Sequence, residues 1–254
     1  MKLTQIVFSP TGGTAKVSKT LAEAMDESAR ILDLTDKSAH FVLEEFKKKD
    51  VVIIAVPSYG GRMPEVARDR LSLIKGGGAR AVLVVCYGNR AYDDTLVEMQ
   101  DVAEKAGFVV IGAVAAVTEH SICHEYATKR PDRADKRRLK EIGKELKAKI
   151  ENGDDTTPSI PGNRPYREIP KIPIKPKTKK KACTDCGLCV KKCPVGAISK
   201  KDPRKIKKDK CISCMRCVAI CPEDAKKVDK AMLKMASHSI KKEARDAKEY
   251  ESYL

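Results

Sequence analysis

Residues 3–14 read LTQIVFSPTGGT, and the first half of the chain is organised around this stretch. A short apolar run rich in Ile, Val and Phe stops at Ser9-Pro10, and Gly12-Gly13 opens directly into a segment with helical spacing. Working outward, apolar runs recur at residues 31–34, 51–56, 81–86 and 108–117. Several are apolar throughout, as strands covered on both faces must be. Between them the spacing is helical: Val17, Leu21, Ala24 and Met25 within 14–27, then Leu96, Val97, Met99 and Ala103 within 93–106. Asp93 or Asp94 stands where a cap for the second helix belongs. Residues 132–152 place Leu139, Ile142, Leu146 and Ile150 on one face and read as the final helix. Five strands with intervening helices predict an α/β fold, a doubly wound five-stranded parallel sheet, over residues 1–152.

The loop after the first strand, Ser9-Pro10-Thr11-Gly12-Gly13-Thr14, offers hydroxyls and backbone N–H groups at a helix N-terminus, which is an anion site. It contains no Lys, and neither G-K-[ST] nor G-x-G-x-x-G is present, so a nucleoside triphosphate or a dinucleotide is not expected. A phosphate monoester cradled by neutral donors suits it better. Residues 57–64 (PSYGGRMP) and 86–92 (CYGNRAY) follow the third and fourth strands. In a doubly wound sheet these loops meet beside the first at the carboxyl edge, the usual ligand crevice. Each brings a Tyr to stack on a flat ring and a Gly that lets backbone approach closely. The three loops together call for a planar ligand with a phosphate tail.

The rest of the chain differs in composition. Six of the 13 prolines fall within residues 153–177, which excludes helix and leaves two readings: a plain linker, or a strap along one domain anchored by Tyr166 and Ile169. Eight of the ten cysteines lie between Cys183 and Cys221 in an internal repeat offset by 28 residues: CTDCGLCVKKCP at 183–194 and CISCMRCVAICP at 211–222. Each copy is C-x2-C-x2-C-x3-C-P, the run of two-cluster ferredoxins in which the fourth cysteine ligates the other cluster. Cluster one is then held by Cys183, Cys186, Cys189 and Cys221, and cluster two by Cys211, Cys214, Cys217 and Cys193. Zinc favours paired C-x2-C knuckles and explains the duplicated four-cysteine run poorly. A small α+β domain with two [4Fe–4S] clusters is expected over residues 178–227. Residues 228–254 read as one amphipathic helix carrying Val228, Met232, Met235, Ala236, Ile240, Ala247 and Tyr250 on a shared face, docked within the chain or offered to a partner.

Charge follows the same division. The formal net charge is +16; residues 1–150 contribute 25 Lys and Arg against 21 Asp and Glu, and residues 151–254 contribute 26 against 14. Each oxidised cluster with its four thiolates adds about −2, so the second half remains basic. A basic cluster domain steers toward acidic redox partners. Nucleic acid is not expected, because no aromatic residue for base stacking lies between Tyr166 and Tyr250. No run of about 18 apolar residues is present, so no spanning helix is expected. The first apolar stretch is broken too early by Ser, Pro and Gly for a secretion signal, and the expected compartment is the cytoplasm, where thiols stay reduced.

On these motifs residues 1–150 resemble a short-chain flavodoxin, and the whole chain resembles the flavodoxin/bis-[4Fe–4S] ferredoxin fusion proteins of anaerobes. The segment 118–132 (TEHSICHEYATKRPD), which a minimal flavodoxin lacks, also resembles that family. The resemblance implies FMN, with Ser9, Thr11, Gly12, Gly13 and Thr14 at its phosphate. Ser58, Tyr59, Gly60 and Gly61 would lie on one side of the isoalloxazine, and Tyr87, Gly88 and Asn89 on the other. Cys86 ends a buried strand and reads as packing. Cys123, between His120 and His124, reads as plain loop, as a lining of the flavin pocket through which His120 donates, or as an incomplete metal site. The expected function is electron transfer among FMN, two [4Fe–4S] clusters and an external redox protein. The alternative is an FMN-dependent oxidoreductase acting on a small molecule or NAD(P)H, with Arg62, Arg90 or Arg130 holding an anionic group.

Overall fold

The computed structural model describes residues 2–169 and 174–254. β1 (Lys2–Val7), β2 (Arg30–Asp33), β3 (Asp50–Pro57), β4 (Arg80–Tyr87) and β5 (Val109–Val117) alternate with α1 (Gly13–Met25), α2 (Glu65–Leu71), α3 (Thr95–Lys105) and α4 (Arg133–Glu151). The strands pair in parallel in the order β2-β1-β3-β4-β5. This is the flavodoxin-like doubly wound order. β3 and β4 are buried along almost their whole length on both faces, which is why their sequences are continuously Val, Ile, Leu and Ala rather than alternating. β2 at the edge is mostly exposed and only half of its residues are apolar.

α1 and α4 pack together, and Gly143 allows the approach: a Cβ there would lie 2.6 Å from Ala24 Cβ and 3.0 Å from the Leu21 carbonyl. α4 starts with a reciprocal capping box between Asp132 and Asp135, satisfying N–H groups that would otherwise lack partners. α3 starts differently from expectation. Asp94 is its N-cap, but makes no side-chain cap bond. The carboxylate instead accepts from Asn163 N (2.8 Å), Asn163 Nδ2 (3.0 Å) and Arg167 N (2.7 Å).

Those bonds hold the proline-rich segment against the sheet domain. Asp155 pairs with Arg80 at 2.5 Å, Arg164 and Tyr166 both engage Asp101, and Gly162 sits where a Cβ would strike Val97. Residues 153–169 therefore run as a strap along α3. Tyr166 anchors it beneath the Arg62 guanidinium, whereas Ile169 is 41% exposed and anchors nothing. Pro170 and Pro173 lie outside the described residues.

The cysteine-rich part is small. β6 (Lys177–Thr178) pairs antiparallel with β7 (Lys226–Lys227), and between them lie the short helices α5 (Leu188–Lys192) and α6 (Arg216–Ala219). The C-terminal segment corrects the expectation of one continuous helix. α7 spans Lys230–Ala244, the chain then turns, and β8 (Glu251–Tyr253) adds antiparallel to β5 as a sixth strand. Tyr250 leaves the expected helix face, is buried, and donates its hydroxyl to the Val117 carbonyl at 2.9 Å. The reason is the outer edge of β5, whose backbone groups in the middle of a core strand need partners.

Candidate functional site

At the carboxyl edge of the sheet the loops after β3 and β4 border a cavity of about 530 Å³, well inside the usual range of ligand pockets. Ser58, Gly60, Tyr87 and Gly88 line it from the sheet side. Met235, Ala236, Ser239 and Ile240 of α7 close it from the opposite side, with Arg167 and Ile174 at its margin. The two loops are tied together, since Ser58 N donates to the Cys86 carbonyl at 2.8 Å and Thr95 Oγ1 donates to Ser58 Oγ at 2.8 Å. Three expected lining residues are placed elsewhere. Tyr59 closes the turn with Arg62 and packs on the core near Cys214, and burial raises its hydroxyl pKa well above the usual range. Gly61 (φ +84°) faces Asp93, which a Cβ would strike. Asn89 is buried and donates through Nδ2 to the carbonyls of Ala244 (2.7 Å) and Asp246 (3.0 Å), clamping the end of α7.

A second cavity of about 200 Å³ lies at the hydroxyl-rich loop, where Thr11 and Gly13 meet Lys16, Lys129, Arg130 and Glu119. Gly12 takes φ +95° as the N-cap of α1 and provides no side-chain cap. Ser9 Oγ accepts from Ala15 N at 2.9 Å, and Ser9 N donates to Thr35 Oγ1 at 2.8 Å, which fixes the loop from below. Thr14 is buried beside Cys86. Free amides at a helix start and two nearby lysines fit a phosphate monoester. The lysines were not anticipated, because Lys16 follows the loop rather than belonging to it and Lys129 arrives from residues 118–132.

His120 stands over Gly88, close enough that a Cβ on Gly88 would lie 2.4 Å from its ring. Its Nδ1 accepts from Ile122 N (3.1 Å) and Cys123 N (2.9 Å), so the ring proton resides on Nε2. Burial, reinforced by the neighbouring His124, lowers its pKa to about 4. His120 is thus a neutral donor on the cavity wall. His124 turns away to Glu119 at 2.7 Å. Burial pushes Cys86 up to about 12 and Cys123 up to about 11, which leaves both as unreactive thiols. The three candidate arginines are already engaged. Arg62 forms a bidentate pair with buried Glu98 at 2.7 and 2.9 Å, Arg130 pairs with Asp135 and with the Lys248 carbonyl, and Arg90 pairs with Asp93 and Glu243. Of the three, only Arg90 borders the larger cavity.

The repeat cysteines gather at two neighbouring places. Cys183, Cys186, Cys189 and Cys221 line one small cavity. Cys193 packs with Cys211, Cys217 and, from the first set, Cys189, and Cys214 lies close enough to Cys193 and Cys211 to feel their charge. Burial pushes Cys214 and Cys217 up to about 12, so thiolates there require a cation in return. The two loops wrap alike: Asp185 and Gly187 in the first, and Ser213 and Met215 in the second, all take left-handed φ between 56° and 72°. Such alternation turns successive N–H groups inward as an anion-binding nest. Amides also reach the fourth cysteines, Ala197 N to Cys193 Sγ and Ala225 N to Cys221 Sγ, each at 3.3 Å. Among the described residues no three His, Cys, Asp or Glu side chains are grouped closely enough for a single metal ion.

The second set faces the sheet domain. Ile212 packs on the main core, and Arg216 Nη1 donates to the carbonyls of Ser9 (3.3 Å) and Pro10 (3.2 Å). Arg216 Nε is buried without a partner, between the hydroxyl-rich loop and Cys214, where an anionic group would satisfy it. The first set lies outward, with Cys186 exposed.

Residues 168–226 match the 4Fe-4S dicluster domain family. The match takes in all eight repeat cysteines and assigns iron-sulfur chemistry to this part of the chain. No curated protein matches the chain. Among solved structures, it is similar to a flavodoxin from the domain Archaea at 11% identity, covering 59% of this chain and 99% of that one with a TM-score of 0.44. It is also similar to the flavodoxin of Streptococcus pneumonia TIGR4, at 21% identity, 58% and 99% coverage and a TM-score of 0.41. The rubredoxin oxygen:oxidoreductase from Desulfovibrio gigas matches at 15% identity, 59% and 36% coverage and a TM-score of 0.40. Strand order carries the fold assignment of the sheet domain. No helix among the described residues is long and apolar enough to cross a membrane.

The dicluster domain is seated on the sheet domain by residues that no motif announced. Arg70 bridges the Leu34 carbonyl (2.5 Å) and the Pro194 carbonyl (2.6 Å), and Lys37 Nζ donates to the Val190 carbonyl at 3.0 Å. α7 as a wall of the larger cavity was also missed, because its apolar face was legible but its destination was not.

Proposed function

We propose that the protein transfers electrons, binding FMN at the sheet edge and two [4Fe–4S] clusters in the dicluster domain, and exchanging with an acidic redox protein. The observation that carries this reading is the seating of the Cys193, Cys211, Cys214 and Cys217 set against the same loops that border the two cavities. When bound, FMN supplies electrons singly or in pairs and each cluster supplies them singly. Residues of the chain do the positioning. Thr11, Gly12, Gly13 and Thr14, with Lys16 and Lys129, suit the phosphate; Ser58, Gly60, Tyr87 and Gly88 flank the ring site, and α7 keeps water from it. The neutral His120 provides a donor that needs no proton uptake to act.

Exposed Cys186 marks the face open to a partner, and Lys191, Lys192, Lys200 and Lys201 lie exposed on the same domain. These cations favour an acidic surface. A small-substrate oxidoreductase is the weaker reading, since Arg62 and Arg130 are consumed by internal pairs.

Anaerobic purification followed by iron, sulfide and flavin analysis tests the proposal. About eight irons per chain, the content of two [4Fe–4S] clusters, with one FMN is the expected result. Iron without flavin would remove the sheet-edge cavity from the account, and zinc in place of iron would overturn the redox function altogether.

A further inference from the structure

Lys226 is only 2% exposed. Its strand β7 is registered on β6 by the Thr178–Lys226 pair, which directs the side chain inward. Nζ donates to Thr178 Oγ1 at 2.7 Å and to the Pro203 carbonyl at 2.6 Å, both neutral oxygens. Of the acidic residues nearby, Asp185 is taken by Arg204, Asp202 by Arg204 and Lys205, and Asp229 by Lys177, while Glu223 and Asp224 are exposed and form no pair with Lys226. Among the described residues no carboxylate pairs with Lys226. A buried ammonium without a counter-charge is strongly unfavourable, so its place in the fold demands an anion that side-chain carboxylates do not provide.

The available anions are the two cysteine sets. Lys226 lines the cavity enclosed by Cys183, Cys186, Cys189 and Cys221. β7 also packs against α6, the helix that carries Cys217 of the second set, so Lys226 stands between the two sites. No other lysine of the domain is buried among the described residues.

We propose that Lys226 is the shared counter-ion of the two cluster sites, one buried cation that raises the reduction potential at both. The inference rests on the two-cluster reading above. Each reduced cluster carries one more negative charge than its oxidised form, so a fixed cation near both favours reduction of both. Because the ammonium is buried, salt screens it little, unlike the exposed lysines around it.

Redox titration of the anaerobically purified full chain, followed by EPR, tests this with Lys226→Gln, Lys226→Arg and a surface control at the exposed Lys208, Lys208→Gln. Lys226→Gln with full iron content is expected to lower both cluster potentials, while Lys226→Arg and Lys208→Gln stay near the wild type. Unchanged potentials in Lys226→Gln, or a shift confined to one cluster, would overturn the proposal. If Lys226→Gln fails to retain iron, the wild type decides the matter. Potentials that hold as ionic strength rises support a buried source, and a steep fall in both assigns the effect to surface lysines instead. Wild-type protein without iron would count against the two-cluster reading itself, a distinct failure.

Discussion

Glu98 is 1% exposed and carries three contacts at once: Arg62 through two bonds, Met63 N at 2.9 Å, and Arg68 at 3.9 Å. It fixes the loop after β3 and, through Arg62, the strap, because Arg62 Nη1 donates to the Arg167 carbonyl at 2.6 Å. Removing one partner of a buried pair leaves the other uncompensated, so Glu98→Gln is expected to cost about 3 kcal/mol in urea unfolding. A cost under about 1 kcal/mol would mean that the pair behaves like an exposed one. His120 makes a pH-dependent prediction. Its pKa falls from the ordinary 6.5 to about 4 in the fold, so between those values the unfolded chain binds a proton that the folded chain does not. The contribution is complete above about pH 6.5 and is lost as pH falls toward about 4. The stability margin of the wild type over His120→Gln, measured by denaturation across that window, should shrink on acidification.

At the scale of elements, the C-terminal segment works as a clasp. α7 walls the larger cavity, Asn89 holds its end, Tyr126 donates to the Ser237 carbonyl at 3.0 Å, and β8 locks onto β5. Deleting residues 245–254 removes β8 and the Tyr250 anchor without touching any repeat cysteine. The truncated protein should keep its iron and release flavin more readily, seen as a rise in free-flavin fluorescence on dilution. Asn89→Ala should do the same more mildly, weakening flavin binding by about tenfold for the loss of its two hydrogen bonds. Loss of iron together with flavin would show that the clasp supports both domains.

For the molecule as a whole, charge and seating are coupled. The dicluster domain is held by Arg70, Arg216 and Lys37, leaving the exposed lysines of 191–201 turned to solvent. Long-range attraction between such a surface and an acidic protein is weakened by salt. Electron exchange with an acidic one-electron carrier should therefore slow as ionic strength rises, and the double charge reversal Lys200→Glu/Lys201→Glu should slow it about tenfold at low salt. Stopped-flow mixing measures both, and an unchanged rate in the double variant would place the docking face elsewhere.

The parallel sheet and the iron-sulfur character of the cysteine repeat were legible because each leaves a periodic or spaced mark: continuous apolar runs for strands buried on both faces, and an exact repeat of cysteines offset by 28 residues. β8 left no such mark. Three residues, Glu251–Tyr253, have no periodicity of their own and become a strand because the open edge of β5 needs hydrogen-bond partners. Asn89, Tyr59 and Gly61 carried the right chemistry for a ligand loop, but the arrival of α7, Cys214 and Asp93 gave each a different neighbour. The same holds for the helix cap expected of Asp94, which the strap claimed. Sequence by itself determined the five parallel strands and the repeat of cysteines, since those follow from local pattern. Tertiary structure decided what closes the cavities, which cations reach the anion site and where Lys226 is buried, because these depend on contacts between residues far apart in the chain.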